Sequence, residues 1–277
     1  TQNAEMSAPL KFVFLSLLIT GVFILYRPVL SFSFVWDDTS YVKNNIQLAW
    51  PLLRSLKHFW GLHFYQGNYH PLTMSIYALI AKLKGIQPYY FHLAVLSIHS
   101  LNVLMTFKLA TYWTKGNFWG AFWIAAVFAL HPLHVESVAW ISGLKDVLYA
   151  FFFLGGSIIY FESKGRLSRL TYLTILCLFF LSLCAKPAAV MFPLVLLTFD
   201  YYINGTVNWK DVISKIPFLV LSIVFGVLTL KAQQQSIESV VHYKFIERIV
   251  LGFSSMARYV FQFIWPHQLS ALHPLPK

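Results

Sequence analysis

The chain has 277 residues, of which 58% are hydrophobic and 11% charged, whereas an ordinary soluble domain carries about a quarter charged residues. That composition excludes a water-soluble globule. The 21 Lys and Arg against 10 Asp and Glu give a formal charge of +11. The basic residues are scattered through loops and form no nucleic-acid-binding stripe, so anionic lipid head groups and phosphates are the partners this charge favours. The two cysteines, Cys177 and Cys184, fall within one apolar segment and read as packing residues.

Apolar runs of about 17 to 25 residues cross a hydrocarbon core as helices. The first, 12–30, follows Lys11 and is too long for a signal-peptide core. No small-residue cleavage site follows, so it reads as a retained first span. The stretch up to Pro88 is mixed in polarity. Within it, 50–64 puts Leu52, Leu53, Leu56, Phe59, Trp60 and Phe64 at helical spacing with Arg54, Lys57 and His58 opposite, the pattern of a helix lying flat in the interface. The segment 72–84 is apolar for too short a distance to cross and reads as a second interfacial helix. Further spans are predicted at 89–112, 117–133, 147–162, 169–184, 187–203 and 214–230, which makes seven, with a weaker eighth at 246–264 and a loop over 265–277.

The fold class is therefore all-α, one polytopic membrane domain over 1–277 without repeats or linker-like runs. If 72–84 does not cross, Lys108, Lys115, Lys164, Arg166, Arg169, Lys210 and Lys215 share one side, which the bias of Lys and Arg in short loops makes the cytoplasm. The first loop, 31–88, then faces a periplasm or lumen together with 134–145 and 231–244. Lys43, Arg54, Lys57, Lys82 and Lys84 lie on that outer side and run against the bias.

Acids are scarce, so the adjacent pair Asp37 and Asp38, after an apolar helix and Trp36, is the most informative feature. Two carboxylates at one interface repel and are partly desolvated, which raises at least one pKa and suits holding a proton, a metal or a hydroxyl substrate. Capping does not explain them, because Asp at a helix C-terminus opposes the macrodipole. A second constellation runs His131-Pro132-Leu133-His134-Val135-Glu136, then Trp140 and Lys145-Asp146. Pro132 sets a helix boundary between the two histidines, which weakens any zinc motif, and an interfacial loop accounts for these residues equally well. Asp146 differs, since it falls inside an apolar helix where an unpaired acid costs about 2.5–3.5 kcal/mol. It needs a partner, and Lys145 points elsewhere. His70 stands just before Pro71 at a helix start. Lys186, Arg258, His267 and His273 are candidates for contacting a phosphate or glycan, each alone more often an interfacial anchor. Asn204-Gly205-Thr206 matches a glycosylation sequon but falls on the cytoplasmic side of this topology.

Several of these motifs resemble a known family: Phe34-Val-Trp-Asp-Asp38, Asn68-Tyr-His-Pro-Leu-Thr73, Phe91-His92, His99-Ser-Leu-Asn102, Trp265-Pro266, His273-Pro274, and above all His131-Pro-Leu-His-Val-Glu-Ser-Val-Ala-Trp-Ile-Ser-Gly-Leu-Lys-Asp146. Together they are similar to the membrane domain of the TPR-associated O-mannosyltransferases, the TMTC proteins and their bacterial relatives, from about residue 20 to 277. The resemblance implies a GT-C-like helical bundle with an acidic motif in its first extracytoplasmic loop. By position it makes Asp37 the catalytic acid residue, Asp38 its companion, 50–64 and 72–84 the juxtamembrane helices of that loop, and Asp146 the acid that opens the fourth span.

The activity it implies is transfer of mannose or another hexose from a polyprenyl-phosphate carrier to a protein Ser or Thr hydroxyl. His70, His131, His134, Glu136, Lys145, Asp146, Lys186 and Arg258 are then candidate substrate contacts. The expected location is a bacterial inner membrane or the endoplasmic reticulum, with the site outside the cytoplasm and a TPR region in a further C-terminal part. Such a transfer needs a base near the acceptor, cations for the leaving phosphate and stabilisation of an oxocarbenium-like transition state. Asp37 can supply the base and Lys186 or Arg258 a cation. Whether Asp37 and Asp38 also hold a divalent cation stays open, Mg²⁺ and Mn²⁺ being equally suited to interfacial carboxylates. Two other readings remain: a transferase of the same fold acting on lipid or glycan, and a non-catalytic membrane scaffold on a degenerate version of it. Acids gathered at an interface and not at the midplane count against a transporter.

Overall fold

The computed structural model describes residues 7–163, 167–234, 244–267 and 269. Lys164, Arg166, His273 and most of the 231–244 connection fall outside them. Among the described residues there is no strand, only an isolated bridge between Tyr65 and Asn68. The helices are α1 (Ala8–Tyr26), α2 (Leu52–Phe59), α3 (Pro71–Lys84), α4 (Pro88–Trp113), α5 (Phe118–Leu130), α6 (Val135–Ala139), α7 (Leu144–Glu162), α8 (Arg169–Ala185), α9 (Phe192–Asn204), α10 (Trp209–Ser214), α11 (Ile216–Ala232) and α12 (Phe245–Ile264).

Among the described residues four segments are long and apolar enough to cross a membrane: Ala8–Ser31, Pro88–Trp113, Ile141–Glu162 and Pro187–Asn204. A fifth is made by α5 together with Pro132–Ala139, bent by 47°. The bend falls at His131, where the Pro132 ring removes a helix donor, as the sequence leads one to expect. Helices α8 and α11 are apolar but shorter. Two boundaries differ from expectation. The span expected at 147–162 starts earlier, in a 3₁₀ turn at Ile141–Gly143, so Asp146 lies in the first turn of α7. The weaker segment at 246–264 does form a helix, α12, but with Glu247, Arg248 and Arg258 along it, it is not among the segments apolar enough to span.

Local chemistry sets several ends. The side chains of Asn117 and Ser168 accept hydrogen bonds from Gly120 and Thr171 at the starts of α5 and α8, the usual satisfaction of free first-turn donors. Pro stands in the first turn of α3, α4 and α11. The amphipathic helix expected over 50–64 is only α2, Leu52–Phe59. After Trp60 the chain turns through Gly61 and closes the Tyr65–Asn68 bridge, with Gln66 and Gly67 at φ 50° and 68°, so turn residues end a helix that hydrophobic periodicity alone would continue.

Helix α3 packs against one end of the bundle. Thr73 donates to the carbonyl of Ala185 at the end of α8 (3.0 Å), Tyr77 to that of Ile141 before α7 (3.0 Å), and Lys82 to that of Ala49 in the same loop (3.0 Å). Below it, one core joins Leu18, Val22 and Tyr26 of α1 to Val95, Leu96 and Val103 of α4 and to Ala125 and Ala129 of α5. A second joins Ile175, Phe179 and Leu183 of α8 to Phe192, Leu196, Phe218 and Phe225. The rest of α1 faces outward, with Phe12 73% and Ile24 69% exposed, as a lipid-facing helix would be.

Candidate functional site

Past α1 the chain passes through a 3₁₀ turn, Arg27–Ser31, and an extended stretch, then reverses at Trp36, whose φ of 45° is rare for a bulky side chain. Asp37 and Asp38 therefore open a new helical turn and do not close α1, which corrects the macrodipole argument made from sequence. Asp38 accepts from the backbone N–H of Val35 (3.2 Å) in the stretch that leads into this turn. Its other oxygen accepts from the backbone N–H (2.8 Å) and the hydroxyl (2.6 Å) of Ser142. Asp38 is fully buried; burial pushes its carboxyl above the usual range, while these three hydrogen bonds pull the other way. The contact needs Gly143, because a Cβ there would meet the Ser137 carbonyl oxygen at 2.5 Å.

Asp37, by contrast, is exposed. Lys145 lies in its field and in those of Asp146, Lys186 and Glu136. The Lys145 ammonium sits over two rings, Tyr41 at 5.6 Å and Trp140 at 5.7 Å. Burial pushes the Tyr41 phenol up to about 12, so it stays protonated, and it accepts from Asn68 Nδ2 (3.2 Å). The Tyr41 ring packs on His70 at 5.3 Å. Burial, helped by the nearby charges of Lys145 and Lys186, pushes His70 down to about 3, so its imidazole is neutral.

Of the residues singled out from sequence, the structure thus brings together Asp37, Asp38, His70, Glu136, Lys145, Asp146 and Lys186. Asp146 has the partner it requires, an ion pair with Lys186. Lys186 is therefore already engaged, whereas Lys145 forms no ion pair among the described residues. Three candidates point elsewhere. His131 holds the Phe263 carbonyl (2.9 Å) and stacks on that ring, tethering α12. His134 packs against Phe128 and His99. Arg258 is exposed on α12 and forms no hydrogen bond or ion pair to the described residues around Asp37.

Two cavities flank this group. The larger, ≈ 660 Å³, is mainly apolar, with Phe32, Trp36, Glu136, Trp140, Tyr259 and Gln262 in its wall. Among the described residues the buried indole N–H of Trp140 has no hydrogen-bond partner. The smaller, ≈ 190 Å³, has Gln47, His58, His63, Asn68, His70 and Met74 in its wall. As for a divalent cation, all three hydrogen bonds to Asp38 fall on its two oxygens, and among the described residues no three His, Cys, Asp or Glu side chains gather as a metal set.

Sequence reasoning gave no role to Tyr41, which lies in none of the quoted motifs, or to Ser142, which lies within the long 131–146 motif. It also read Lys215 as a loop charge. Lys215 is in fact buried against Asp200 (2.7 Å, each side chain 2% exposed), with Tyr160 donating to the same carboxylate. The signal was available, because an acid in the apolar 187–203 segment needs a partner as Asp146 does.

The chain is similar to human protein O-mannosyl-transferase TMTC1, 31% identical over 151 residues, which is 51% of this chain and 17% of that protein. It is 27% identical over 181 residues to mouse protein O-mannosyl-transferase TMTC3, covering 63% of this chain and 20% of the relative. With human protein O-mannosyl-transferase TMTC4 it shares 28% over 210 residues, 66% of this chain and 28% of the relative. The matched part is thus less than a third of each relative's length. No family model matches the chain, and no solved structure does.

Proposed function

We propose that this TMTC-like chain carries the membrane-embedded catalytic part of a glycosyltransferase that moves mannose or a similar hexose from a polyprenyl-phosphate carrier to a protein Ser or Thr hydroxyl, on the extracytoplasmic side of the membrane. The names of its relatives support transfer to protein. The observation that carries the reading is the division of labour between two adjacent acids: Asp38 is buried and clamped to Ser142, while Asp37 is exposed and acts electrostatically on Lys145, the cluster cation without an ion pair among the described residues.

In this reading Asp37 accepts the proton of the acceptor hydroxyl as that oxygen attacks the anomeric carbon. The bond from that carbon to the phosphate oxygen breaks, and polyprenyl phosphate leaves with the electron pair. Lys145, with the unpaired indole N–H of Trp140 nearby, stabilises the charge gathering on the phosphate in a site partly shielded from water. The apolar ≈ 660 Å³ cavity beside Trp140 suits the first isoprene units of the carrier. Asp38 takes no proton and holds the loop in register.

The test is incorporation of labelled mannose from polyprenyl-phosphate mannose by the purified protein, offered Ser/Thr peptides, glycolipids and glycans in parallel. Labelled peptide supports the reading. Labelled lipid or glycan alone would move it to the sister activity, and no incorporation into any of them would favour a scaffold.

A further inference from the structure

Resting on that reading, we infer that the ≈ 190 Å³ cavity bounded by Asn68 and His70 receives the acceptor's Ser or Thr side chain, and that His70 fixes its hydroxyl for transfer. Five observations converge on this. The cavity wall comes entirely from residues 47–74, outside every apolar spanning segment, where a water-borne acceptor arrives and a carrier lipid does not. Lys145 links residues of the two cavities, lying over Trp140 in the wall of the larger and over Tyr41, whose ring packs on His70 in the wall of the smaller. A displacement between two substrates needs one pocket for the acceptor and another for the departing carrier, on either side of the anomeric carbon.

The volume also fits a small side chain with its flanking backbone and is too small for an isoprenoid chain. Finally, His70 is 4% exposed and stands in the cavity wall, and none of the hydrogen bonds among the described residues engages its ring nitrogens. A ring so placed can take a ligand hydroxyl as its partner. Burial keeps the ring uncharged, with one nitrogen a donor and the other an acceptor, as a hydroxyl requires. The stacked rings of His58 and His63, 4.3 Å apart, give the same cavity a flat polar wall suited to a peptide bond.

The experiment uses the purified chain in lipid nanodiscs, with polyprenyl-phosphate mannose and a Thr peptide each varied in turn, and the matching Val peptide as competitor. His70→Phe keeps the bulk and removes both nitrogens, while His70→Gln restores a donor and an acceptor. The expected result is an acceptor KM raised about tenfold or more in His70→Phe, an unchanged donor KM, partial recovery in His70→Gln, and loss of the preference for Thr over Val in competition. Should His70→Phe fail to fold, His70→Asn, which places its amide out of reach, is measured in the same way. Wild-type transfer combined with an unchanged acceptor KM, or with a shift confined to the donor KM, overturns the inference and leaves the functional reading intact. A wild-type protein that transfers to no peptide overturns both.

Discussion

Ser142 donates two hydrogen bonds to one oxygen of Asp38, a residue 104 positions earlier in the chain. This contact joins the first loop to the start of α7 and turns the side chain of Asp38 inward, while Asp37 stays exposed. Because the contact is buried, Asp38→Ala leaves the N–H groups of Ser142 and Val35 without their acceptor, and each unmade buried bond costs about 1–3 kcal/mol. The melting temperature is expected to fall accordingly. Gly143→Ala is expected to act on the same contact by displacing the Ser137 carbonyl, so the double variant should lose less than the sum of the singles. Thermal unfolding of the three variants checks this, and strict additivity would count against it.

Asp37→Asn keeps size and polarity and removes the base. General-base catalysis is worth about 10² to 10⁴ in rate, so transfer should fall by that order with little change in melting temperature, since Asp37 is exposed. Single-turnover transfer with prebound donor measures it. Activity within a few-fold of wild type would return the assignment to the scaffold reading.

Lys145 and Lys186 should separate by kind of defect. Lys145→Gln removes the cation without a carboxylate partner and should raise the donor KM while leaving the fold intact. Lys186→Gln strands Asp146 and should cost stability, about 1–3 kcal/mol for a pair only partly shielded from solvent. Asp146→Asn combined with Lys186→Gln should recover most of that loss, which denaturant titration would show.

Acid should destabilise the protein in part through His70. Its folded-state value of about 3 lies below the unfolded value of about 6.5, so between the two the unfolded chain binds the extra proton. The stabilising contribution is complete above the unfolded value and is lost as pH falls toward 3. Asp38 has the opposite sign: its raised carboxyl makes the native state the better proton binder, so its contribution falls as pH rises through that elevated value. Melting temperature against pH should therefore be flatter below about 6.5 in His70→Gln than in wild type.

At the far end of α7, the buried Lys215–Asp200 pair has a structural task. Lys215→Met leaves a buried carboxylate unpaired, with Tyr160 as its remaining donor, and should cost about 3–5 kcal/mol. Both KM values should stay unchanged in the fraction that folds. A selective rise in one of them would mean that this end of the bundle reports to the site.

The sequence by itself determined where the apolar helices lie, though not which of them are long enough to cross, the presence of an acid pair beyond the first of them and the need of Asp146 for a partner. Run length and hydropathy are sums over neighbouring residues, and the cost of a bare acid among apolar ones is also local. Which of the two aspartates is free, whether Lys145 or Lys186 remains available, and how α3 lies were decided only by the tertiary structure. Each depends on a distance between segments far apart in sequence: Asp38 to Ser142, Asp146 to Lys186, Thr73 to Ala185. Those distances follow from how helices pack, and helix packing follows from the shapes of many side chains at once, which no local pattern of charge or hydropathy encodes.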